Sequence, residues 1–269
     1  MSTDQYSPAV NLLSDQMGHR RAIRVKWKSD AGILIDVHQV AFSALASALT
    51  RNLGEKVENV EKSQEGQICL ISHFVQGVDL CETSISEGLY SQAAALLKQE
   101  VEIVSGIEEY RTNKRQEKKT PLIGKGITAG FGPVYGQLND IAHLGRHEIA
   151  KNIVSGSVGG LTGASIVPIY EKELAFALYG QHIHYIILIT QQLDVLFQSM
   201  YGSGLNEEER GWVGSAIGVL LKEGFLKLPD DAEGDEAAWV RSIIEIEEPR
   251  PRRSGRAFAK RPSKNKDAG

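Results

Sequence analysis

LYSQAAALLKQEVEIVSGIEEY, residues 89–110, carries its apolar side chains in two adjoining rows at helical spacing. Leu89, Ala93, Leu96, Ile103 and Ile107 form one row, and Tyr90, Ala94, Leu97, Val101 and Val104 form the next. Two neighbouring rows make a broad apolar face, so this helix belongs in the middle of a fold rather than at its edge. Glu100 falls inside that face, between Leu96 and Ile103. A buried carboxylate costs several kcal/mol unless it is paired or takes up a proton. The position therefore implies an internal hydrogen bond to a Tyr or His of a neighbouring helix, or an acid, base or ligand lining an interhelical pocket. Lys98 and Glu102 fall on the far side and read as a solvated pair.

Working outward, residues 171–200 form a long helix that is apolar almost all round, with a thin polar line of Glu173, His184, Gln191 and Gln198. His182 sits among its apolar residues and reads as a core histidine. Helical spacing also covers 33–53, 68–88 (interrupted by Gly77) and 133–154, where Pro133 suits a first turn. A further helix follows Asn206, whose side chain suits an N-cap, with Glu207 to Glu209 in the first turn. Residues 1–28 read as a flexible arm in which Ile23, Val25 and Trp27 alternate like a short strand. Residues 155–165, with four glycines, read as a loop. The expectation is an all-α bundle of five to six helices over 29–228. An acidic loop, a short element and a disordered basic tail fill 229–269.

Charge is divided unevenly along the 269 residues. From Arg250 onward there are eight Lys or Arg against Asp267 alone, leaving 22 basic and 33 acidic residues in the body. A body at about −11 argues against a broad nucleic-acid face on the folded part, because phosphate binding needs concentrated positive charge. RNA or DNA contact is expected only through 250–269. Cys69 and Cys81, twelve apart on one helix, would lie roughly 18 Å apart and cannot bridge. Two reduced, buried thiols suit the cytoplasm. No stretch reads as a signal peptide or a membrane span, so no membrane partner is expected.

Few motifs carry chemistry. Gly124 to Gly132 is glycine-rich but has neither phosphate-loop nor dinucleotide spacing. Gly-x-Ser-x-Gly is absent, and both cysteines read as core residues. On a continuous 133–154 helix, Asp140, His143 and His147 would share one face, a spacing able to hold a divalent ion, but that face lies opposite the apolar row and reads first as a solvated polar face. Glu100 with His143 or His182 could face a common cleft.

Leu138-Asn139-Asp140-Ile141-Ala142-His143 resembles the Arg-Asn-x-x-Ala-His stretch on a helix of many HEPN-fold proteins. Ala95 to Glu100 is similar to a segment of related bacterial helical proteins, and with Tyr135 to Leu138 the likeness spans about residues 68–200. The resemblance implies a small helical bundle, often dimeric, of a family rich in metal-independent ribonucleases from toxin–antitoxin and phage-defence systems. It would make His143 the family histidine and Asn139 its polar companion. Leu138 stands where the family has the arginine that acts on the scissile phosphate, so the resemblance implies a degenerate, non-cleaving version.

The leading expectation is a non-catalytic helical interaction protein, without cofactor, that binds a protein partner or a second copy. A HEPN-like ribonuclease using His143, Asn139 and Glu100 is the first alternative. A metal- or small-molecule-binding helical domain is the second.

Overall fold

The computed structural model describes residues 6–226 other than 129, 146, 159 and 160. Among them are eight α-helices: α1 Ser7–Asp30, α2 Gly32–Arg51, α3 Lys62–Ser86, α4 Tyr90–Arg111, α5 Gly132–Ala142, α6 His147–Val154, α7 Lys172–Tyr201 and α8 Glu207–Lys222. A 3-10 turn, Gly126–Thr128, precedes α5. The fold is all-α, but five to six helices was too few. The acidic loop, short element and basic tail expected over 229–269 lie outside the described residues.

Two differences account for the count. The expected arm is α1, and the alternation read as a strand has another cause. Ile23 and Trp27 are four apart and buried on one helical face, whereas Val25 between them is 71% exposed. The expected 133–154 helix is broken into α5 and α6. His143 caps α5, Leu144 adopts φ +50°, and the Gly145 N–H donates to the Asp140 carbonyl at 3.0 Å. A left-handed residue followed by glycine ends a helix by satisfying its last carbonyls. The glycine-rich loop is instead a two-stranded antiparallel hairpin, β1 Ser155–Val158 and β2 Leu161–Ala164, with Ser155 opposite Ala164.

α7 is the axis of the bundle, in contact with α2, α3, α4 and α8. Its buried residues occupy every side, among them Tyr179, His182, Ile183, Tyr185, Ile186 and Ile189. α3 and α4 form an antiparallel pair joined at Gly88, whose φ of +78° and 2.8 Å clearance from the Ile169 carbonyl leave no room for a side chain. Trp27 anchors α1 by edge contacts with Phe176 and Tyr179 of α7. Arg24 of α1 reaches Glu82 and Glu87 around the end of α3. α2 is long and apolar enough to cross a bilayer by composition, and here it packs against α7 and α8. Its end is clamped to α8: the Glu209 carboxylate, fully buried, takes Arg51 at 2.9 Å and Ser47 at 3.0 Å while closing a capping box with Asn206.

Candidate metal centre

Three helices meet at one polar point in this apolar interior. α3 supplies Cys81, α4 supplies Glu100 and α7 supplies His182, and one ligand atom from each lies within 4.8 Å of the others. The Nδ1–H of His182 donates to Glu100 Oε2 at 3.0 Å, and Oε1 stands 2.9 Å from the same nitrogen with no hydrogen bond of its own. The Cys81 sulfur lies within 4.8 Å of a Glu100 carboxylate oxygen. Burial first, and then the charge of Glu100, push the thiol well up, so it keeps its proton. Cys81 and His182 have no exposed surface, and Glu100 retains 5%.

The shell around the triad is unusually short of partners. His182 Nε2, His38 Nε2, Tyr185 OH and Trp27 Nε1 are buried without a hydrogen bond. Leaving such a group unmade costs about 1–3 kcal/mol each. His38 of α2 stacks on His182 with ring centroids 5.3 Å apart. Burial first, and then the neighbouring His182, take His38 down to about 3, so it stays neutral with a free nitrogen. Burial, followed by the charge of Glu100, raises the Tyr185 hydroxyl.

A cysteine, histidine and glutamate together suggest a nucleophilic triad, but the order is wrong. In such a triad the base sits between nucleophile and carboxylate. Here the imidazole meets the carboxylate through Nδ1, but its Nε2 has no partner and so does not reach the thiol, which is held protonated. Thiol, imidazole and carboxylate converging on one enclosed point match the donor set of zinc-type ions. A wider cavity of about 930 Å³ lies elsewhere, against Arg111, Gln192, Asp194 and Arg210, and none of the triad lines it.

This chain matches no family model, no curated protein and no solved structure.

The remaining site candidates fall at the α4–α5 surface. Lys98 does not pair with Glu102 in solvent: its Nζ donates to Asn139 Oδ1 at 3.0 Å and lies 3.5 Å from His143 Nε2, while Glu102 takes the Tyr135 hydroxyl at 2.6 Å. Glu100 belongs to the interior set, and Asn139 and His143 to this outer one. Asp140 and His143 are separated from His147 by the break between α5 and α6, so the three do not share a continuous helical face. Cys69 is exposed, contrary to the expectation of two buried thiols. His184 is packed beside Phe131 and Tyr185, and burial takes it down to about 4.

Sequence reading missed Cys81 and His38 as members of a polar cluster. Both lie on apolar helical faces where a thiol and a neutral imidazole pass for packing residues. The available signal was two buried-looking ionisable groups, Glu100 on the broad apolar face of α4 and His182 among the apolar residues of α7.

Proposed function

We propose that the chain is a metal-binding helical domain whose centre is Cys81, Glu100 and His182. The observation that carries the reading is the enclosed convergence of three different ligand types, one from each of three helices. The donor set suits a zinc-type divalent ion, which would load with release of the thiol proton from Cys81 and, if held at His182 Nδ1, with the ring proton moved to the unpartnered Nε2. Elemental analysis of the purified protein should find close to one equivalent of such an ion. Cobalt in its place should show thiolate absorption that is lost in Cys81→Ser. A wild-type protein that takes up neither ion, and whose melting is unchanged by zinc or chelator, would make the cluster a packing device alone.

A second reading is favoured by Lys98. It brings a cation beside Asn139 and His143, where Leu138 leaves the HEPN-like motif without its arginine. That arrangement supports a metal-independent ribonuclease, with Lys98 meeting the phosphate. Labelled RNA incubated in chelator should then be cut by the wild type and spared by Lys98→Ala and His143→Ala. Intact RNA in all three would remove this reading and leave the interaction role as the alternative to metal binding.

A further inference from the structure

We propose that the cleft opened at Gly77, between α3 and α4, is the port through which a divalent cation reaches Glu100 and then the rest of the triad. The inference rests on the metal-binding reading above. A cavity of about 200 Å³ lies between the two helices, walled by His73, Gly77, Leu96, Gln99 and Ile103, with Glu100 among its lining residues. Glu100 is also the one member of the triad with any exposed surface. A Cβ built on Gly77 meets nothing within 4 Å, so the missing side chain leaves open space on the α3 wall. Gly77 lies inside the continuous helix α3, where an ordinary residue would be more stable. The cavity as a whole holds about six waters at roughly 30 Å³ each, enough for a partly hydrated ion. It is smaller than the roughly 300–1,000 Å³ typical of organic ligands. The port thus selects a bare or aquated cation over an organic cofactor.

On the opposite side of α3 a larger cavity, about 520 Å³, reaches His38 and Tyr179 but is lined by none of the three ligands. The ion therefore meets the carboxylate first. A hard oxygen ligand of this kind can take a cation that still holds water, before thiol and imidazole displace the remainder. His73, exposed on the outer wall, is placed as a passing ligand on the way in.

Stopped-flow loading of metal-free, full-length protein with cobalt, followed by thiolate absorption, tests the port. Gly77→Leu should fold at least as well as the wild type and slow loading tenfold or more, with the final equivalent unchanged. Gly77→Ala should stay within twofold, and Gln39→Trp, which fills the cavity on the other side of α3, should load at the wild-type rate. Gln99→Trp blocks the Gly77 cleft from α4 and should repeat the slowing if the leucine variant fails to fold. Wild-type rates in both variants of the Gly77 cleft, or slowing by Gln39→Trp instead, would overturn the port while leaving the site intact. No cobalt uptake by the wild type at equilibrium would overturn the site itself, and the port with it.

Discussion

Glu100 is the residue on which the interior depends. Its carboxylate receives the His182 imidazole and lies within 4.8 Å of the Cys81 sulfur, so removing it leaves the buried imidazole without its partner. Breaking a buried pair by deleting one member costs about 3–5 kcal/mol, more than the packing lost with the side chain would suggest. Glu100→Ala should therefore lower the free energy of unfolding by that order in a urea titration. Glu100→Gln should cost less, because its carbonyl still accepts one bond. A loss below about 1 kcal/mol in the alanine variant would show that the imidazole finds another partner. The burial of Glu100 was legible from spacing alone, since Leu96 and Ile103 flank it on an apolar face. What was not legible was Cys81: a thiol and an aliphatic side chain look alike to a periodicity argument, and only the meeting of α3 with α4 separates them.

At the scale of elements, apolar periodicity located α2, α3, α4, α7 and α8, because each buries a stripe against the others. It failed where a helix has little to bury. Most of α1 before Ile23 is exposed, so its sequence carries no stripe, and only the Ile23–Trp27 spacing marks the part that docks. It failed again at 143–145, because the pattern Val134, Leu138, Ile141, Ile149, Ile153 runs smoothly through a break set by backbone conformation. Leu144 is the strained point of that break: its φ is +50° and its side chain is 45% exposed. A bulky residue in the left-handed region costs about 1 kcal/mol or more, and little packing is at stake here. Leu144→Gly should raise the melting temperature, by about 0.5–1 kcal/mol in stability. Should it lower stability instead, the leucine must be making contacts that outweigh its backbone.

For the whole molecule, α8 is held on α2 by one buried carboxylate, and this makes stability depend on acid. Burial pushes Glu209 up, but Arg51, the Asn206 backbone N–H and Ser47 outweigh it and hold the carboxyl below its ordinary value of 4.5. A group whose folded value is depressed contributes stability above its unfolded value and loses it as pH falls through the folded one. The urea midpoint should accordingly fall as pH drops below about 4.5, and less steeply in Glu209→Gln; parallel curves for the two proteins would place the acid sensitivity elsewhere. The central place of α7 has a different consequence, one of timing. The chain is made from its N-terminus, and α2, α3 and α4 emerge from the ribosome while the strut they close upon, residues 172–201, is still unmade. Until that strut appears, their inward faces have only each other and water, which is the condition that draws chaperones to a nascent chain.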